Sequence, residues 1–218
     1  MVMGIIPNLD SNNFSFNSSN SSFDYNKDDM KKSLIIVDPQ VDFISGNLVV
    51  PDGKKAMSNI ISELVMEKWK QVIVTVDWHP FDHCSFEVYG GKWPTHCVQH
   101  TNGASIVPNI SSMLVELNKT GTPIEIIEKG EYSGLEEYGA FGTYSSKEWI
   151  KDLIPDLNHP IFISGVAGDF CVYETTKNLI ELGYSNITIL EDCIASIDGG
   201  TRLSELIDEN NLKCVSSC

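Results

Sequence analysis

Five short apolar runs recur along this chain: "SLIIV" (33–37), "QVIVTV" (71–76), "PIEII" (123–127), "PIFISGV" (160–166) and "NITIL" (186–190). Each is rich in β-branched residues and continuous instead of alternating, the pattern of strands covered on both faces. Helical periodicities lie between them. Met57, Ile60, Ile61, Leu64, Val65 and Trp69 follow the turn "PDG" at three- and four-residue steps. "SSKEWIKDLI" (145–154) opens with serines suited to an N-cap, and "CVYETTKNLIELG" (171–183) ends in Gly183, a usual helix stop. Strands alternating with helices predict an α/β fold with a parallel sheet between two helical layers. The chain has no internal repeat.

The totals narrow the class further. A length of 218 residues suits one sizeable core with a tail. Residues 8–22 hold eleven Asn or Ser out of fifteen, too little apolar surface to offset ordering entropy. Residues 1–31 are therefore expected to be a flexible tail and 32–218 a single α/β domain; docking of the tail through Phe14, Phe16 and Phe23 is the other reading. A formal charge of −15 disfavours nucleic acid and anionic membranes, which are held mainly by Lys and Arg. No apolar run is long enough to span a bilayer, and the start "MVMGIIPNLD" lacks a basic n-region. Six cysteines without a CxxC pair favour free thiols, and a cytoplasmic location is expected. Homo-oligomerisation is compatible with these features.

Ligands of an open parallel sheet bind beyond the carboxyl ends of its strands. Asp38 follows the first run, Asp77 and His79 the second, Lys129 the third, and Cys171 the fourth across the turn "GVAGDF". An acid, a metal-type pair, a base and a thiol would share one sheet edge. Each has a plainer reading. A cysteine at a strand–helix junction is most simply a small buried residue. Asp38 could only cap the turn before Pro39, and Lys129 could be a solvated strand end or an ion-pair partner. A helix N-terminus and a nearby lysine would nonetheless favour the Cys171 thiolate.

Four of the five histidines (79, 83, 96 and 100) fall within 22 residues, about one strand end. Aspartate and imidazole donors suit Zn, Mn or Fe(II). Asp77, His79 and a distant His96 leave coordination positions open, as a substrate-binding metal requires. Cys84 and Cys97 lie beside them, so a structural His/Cys site stays open at this point, and His100 reads as surface.

With these residues in view, the chain resembles the nicotinamidases of the isochorismatase-like cysteine hydrolases. The likeness runs from about Ser33 to Gly199 through "LIIVDPQVDF", "VDWHP", "WPTHCVQ", "EKG", "YGAF" and "GVAGDFCV". It implies a three-layer α/β/α sandwich around a mainly parallel sheet and a catalytic triad of Asp38, Lys129 and Cys171. It implies one divalent metal on Asp77, His79 and His96, zinc foremost with Fe or Mn as alternatives, and His83 as a ligand in some relatives only. Oxyanion donors would be the backbone N–H groups of Ala167 and Cys171, with a cis peptide before Ala167. Phe43, Trp93 and Tyr138 would line a pocket for nicotinamide. Three departures stand out: Gly168 where threonine is common, Gly139 for a frequent serine, and His100 for a small residue.

The implied reaction converts nicotinamide to nicotinate and ammonia through a thioester on Cys171. Two rivals remain: an amidase of the same superfamily acting on another carboxamide, and a metal-stabilised binding module whose cysteine is inert. Relatives acting on other carboxamides usually lack the Asp-x-His…His set, and an isochorismatase proper lacks the cysteine.

Overall fold

The computed structural model describes residues 32–217. The expected flexible tail over 1–31 lies outside the described residues. Six strands form one sheet: β1 (Ser33–Val37), β2 (Gln71–Asp77), β3 (Ile124–Lys129), β4 (Ile161–Val166), β5 (Ile187–Ala195) and β6 (Lys213–Val215). Their order is β3-β2-β1-β4-β5-β6, and every pairing is parallel. Chain order reverses between β1 and β4, which opens a crevice beyond their carboxyl ends.

Helices cover both faces. Leu34 and Ile36 of β1 point into one core with α2 (Gly53–Met66) and α3 (Pro108–Lys119). Ile35 and Val37 point into the other, filled by α4 (Tyr144–Leu153), α5 (Cys171–Glu181) and α6 (Thr201–Asn210). Period-two alternation in a strand buried on both faces explains why "SLIIV" carries no polar residue after Ser33. A single helical turn, α1 (Val41–Ile44), follows β1 and brings Phe43 inward.

Three local expectations change. "PIEII" becomes the edge strand β3, where Ile126 is 54% exposed, because no strand among the described residues pairs on its outer side. The helix after "PDG" stops at Met66; Val65 faces solvent, and Trp69 lies beyond the helix end, donating to the Glu63 carbonyl. Helix α4 is capped by Thr143 instead of Ser145: Thr143 and Ser146 form a reciprocal capping box.

Candidate active site

Two glycines let the strand ends come together. At Gly165 (φ +116°) a Cβ would lie 2.1 Å from the Val37 carbonyl oxygen, so only glycine admits β1 beside β4 there. At Gly130 (φ +66°) a Cβ would lie 2.4 Å from the His79 ring, and the Gly130 carbonyl accepts from His79 Nδ1 at 2.9 Å. Asp38 itself has φ +48°, in the left-handed region that aspartate tolerates better than most residues. The Val166–Ala167 peptide is cis.

Asp38, Lys129 and Cys171 meet in the crevice between β1 and β4. Asp38 is fully buried; its Oδ1 accepts from the Thr75 hydroxyl at 2.6 Å. Its Oδ2 lies 2.9 Å from Lys129 Nζ without an aligned hydrogen bond, and is the sole such buried side-chain atom among the described residues. Lys129 Nζ donates to Cys171 Sγ at 3.5 Å and to Asp77 Oδ1. The thiol, an Asp38 oxygen and an Asp77 oxygen lie within 4.8 Å of one another.

Electrostatics follow from burial. Desolvation raises the Asp38 carboxyl above its ordinary value, although Lys129 pulls it back. Burial also pushes the Cys171 thiol well up against the pull of Lys129. This runs against the expected thiolate: desolvation, joined by the Asp38 and Asp77 carboxylates, outweighs the pull of Lys129. Lys129 goes the other way, because Asp38 and Asp77 outweigh its desolvation and hold it well above the usual lysine range. Asp77 is held well below the carboxylate range by Lys129 and the imidazoles, again against burial.

Asp77 Oδ2 lies 3.5 Å from His79 Nε2 and 3.8 Å from His96 Nε2. Each imidazole presents its Nδ1 to a backbone carbonyl, His79 to Gly130 and His96 to Pro94. Those carbonyls fix the proton on Nδ1 and leave both Nε2 lone pairs facing one carboxylate oxygen, an arrangement that fits a divalent cation with open positions. His83 is not brought into this set. Its Nδ1 pairs with Ser85 Oγ and its Nε2 with the Leu135 carbonyl, so it stacks on His79 with both nitrogens engaged. Neither Cys84 nor Cys97 joins the three, which removes the structural His/Cys alternative.

Phe43, Trp93 and Tyr138 wall a small cavity beside Cys171 and His96. Leu48, Phe170, Ile197 and Glu136 complete it and were not singled out in the sequence; Phe170, adjoining the cysteine, was the most legible of them. The rings already touch: Trp93 Nε1 donates to Tyr138 Oη at 3.0 Å, and Phe170 meets Trp93 edge-on at 4.9 Å. The cavity is narrow, about 20 Å³. A wider groove of about 660 Å³ between β3 and the start of α4 touches Lys129 alone among the candidate residues.

The departures are accommodated. A Cβ at Gly168 would lie 2.2 Å from Ser196 Oγ, and one at Gly139 lies 2.3 Å from Asn178 Oδ1, so neighbouring side chains occupy that space. His100 is exposed and stands edge-on to Trp78, away from the three ligands.

Known proteins resemble this chain in sequence and fold. A model of the isochorismatase domain matches residues 32–206. The nicotinamidase of Saccharomyces cerevisiae is 33% identical over 192 residues, covering 73% of this chain and 86% of the yeast protein. The crystal structure of PnC1 from L. infantum in complex with nicotinate superposes with a TM-score of 0.74 at 30% identity, over 86% of this chain and 93% of that one. Pyrazinamidase of Pyrococcus horikoshii, solved in complex with zinc, gives 0.69 at 30% identity over 85% and 99% of the two chains. By its sequence, this chain belongs to the isochorismatase domain family.

Proposed function

We propose that this protein is a nicotinamidase, hydrolysing nicotinamide to nicotinate and ammonia through a thioester on Cys171. The observation that carries the reading is the sharing of Asp77: one oxygen faces the Lys129 ammonium beside the thiol, the other faces two imidazole nitrogens. A cysteine amidase machinery and a site for a pyridine nitrogen thus adjoin one cavity.

Asp38 accepts the Cys171 proton as the sulfur attacks the carboxamide carbon. Its raised carboxyl makes it a better proton acceptor than an exposed aspartate, and Lys129 holds it in place. Backbone N–H groups of Ala167 and Cys171 receive the developing oxyanion; the Gly168, Phe170 and Val172 amides of the same turn are bonded to carbonyls. Asp38 returns the proton to the departing nitrogen, the C–N bond breaks and ammonia leaves. A water then gives Asp38 a proton as it attacks the thioester; the C–S bond breaks, the leaving sulfur takes that proton from Asp38, and the acid departs and ionises to nicotinate. A cation held by Asp77, His79 and His96 would supply a Lewis-acid site for the ring nitrogen, orienting the carboxamide toward sulfur.

Zinc is the proposed ion, since two imidazoles and a carboxylate suit it and the Pyrococcus relative was solved with it; Fe(II) and Mn(II) suit the same donors. Five described cysteines are free, in keeping with the proposed cytoplasmic location. No helix among the described residues is long and apolar enough to cross a membrane.

Ammonia release from nicotinamide, with and without a chelator, tests the reading. Turnover that collapses on chelation and returns with zinc supports it. Equal turnover of benzamide, which lacks the ring nitrogen, would remove the metal from substrate recognition.

A further inference from the structure

Strand β1 pairs with β2 only as far as Val37 and Thr75, after which the chain turns at Asp38 and Pro39. Asp77, two residues further along β2, has lost its backbone neighbour on that side. The Gln40 carboxamide stands in for it. Asp77 N–H donates to Gln40 Oε1 at 2.7 Å, and Gln40 Nε2 donates to the Asp77 carbonyl at 2.7 Å. Nε2 also donates to the Ala104 carbonyl at 2.9 Å, and the residue is fully buried. A side-chain amide carries the donor and acceptor of a peptide group, so it continues the ladder by one rung. Glutamate lacks the donor and would bring a third buried carboxylate beside Asp38 and Asp77.

We infer that Gln40 is a positioning residue for the metal site: by gripping both backbone polar groups of Asp77, it fixes the carboxylate between Lys129 and the two imidazoles. The inference rests on the metal reading above and adds a residue that touches neither ion nor substrate.

The test is zinc affinity by competition with a chromogenic chelator, in the wild type, Gln40→Met and Gln40→Asn. Asparagine is one methylene too short to span both groups. Ser33→Ala serves as control, because Ser33 Oγ bonds His159 and Gln71 at the opposite end of β1. The expected result is a zinc Kd raised about 10–100-fold in both Gln40 variants and unchanged within twofold in the control. A Gln40 variant binding zinc as tightly as Ser33→Ala at similar Tm overturns the inference. Wild-type protein that binds no divalent ion removes the metal reading, and this inference with it. Should the Gln40 variants not fold, linkage supplies the check: a grip that favours zinc must be strengthened by zinc. Asp77 amide exchange in the wild type should then slow on zinc addition by more than that of Ile189 in β5. Equal slowing at both positions overturns the inference.

Discussion

Lys129 is hydrogen-bonded to Asp77, the carboxylate that also faces His79 and His96. The lysine that holds the candidate base therefore also holds the candidate metal ligand, so a change at Lys129 reaches both centres. With both carboxylates buried, removing the ammonium leaves Asp38 without a cationic partner and Asp77 with the imidazoles alone. Lys129→Met should destabilise the fold by about 3–5 kcal/mol, the usual cost of breaking a buried pair. Denaturant unfolding checks this, and a loss under about 1 kcal/mol, typical of an exposed pair, would count against it.

His96→Ala should act chiefly on metal and substrate binding. Its Nε2 is 3.8 Å from Asp77 Oδ2 and its ring packs on Phe43 at 5.6 Å, so both the ion and a pocket wall lose a contact. Zinc affinity should fall by more than the roughly 10–100-fold that loss of an outer-shell partner costs, and KM should rise with it. Unchanged KM with full metal content would exclude His96 from the site.

The pH dependence follows from Asp38. It accepts protons only when ionised, and burial sets its carboxyl above the ordinary 3.8 despite Lys129. The kcat/KM should therefore climb with pH through a value above 3.8, and a profile flat down to 3.8 would contradict this base. Stability has two opposed contributions. Asp38, raised in the folded chain, contributes stability below 3.8 that is lost as pH rises through its folded pKa. Asp77, depressed, contributes stability above 3.8 that is lost as pH falls.

Gly165→Ala should be strongly destabilising without touching any reactive group. The new methyl would lie 2.1 Å from the Val37 carbonyl at φ +116°, forcing β1 and β4 apart where the crevice opens. A loss of about 2–4 kcal/mol is expected by thermal unfolding, at the upper end of single substitutions. A change within about 0.5 kcal/mol would mean the strands approach less closely than described.

Much of this was legible in the chain. Continuous runs marked four strands buried on both faces, and the residues just past them marked the rim where Asp38, Asp77, His79 and Cys171 gather. What sequence hid depends on neighbours far along the chain. The exposure of β3 follows from its edge position, which no local pattern encodes. The upward push on the Cys171 thiol reflects burial, whereas a sequence reading sees only the helix start and a lysine. His83 is kept from such a role by Ser85 and Leu135, which engage both of its nitrogens. Gln40 was in plain view two residues after Asp38, but its task exists only because β1 ends before β2 does.

The central claim is that sulfur and carboxamide carbon become bonded during turnover. Rapid mixing of the enzyme with nicotinamide, acid quenching and peptide mass analysis test it directly. The account predicts one nicotinoyl group on the Cys171 peptide, absent from Cys171→Ala, which should retain its metal yet release no ammonia. Ammonia release by Cys171→Ala at the wild-type rate, with no acylated peptide in either protein, would contradict it.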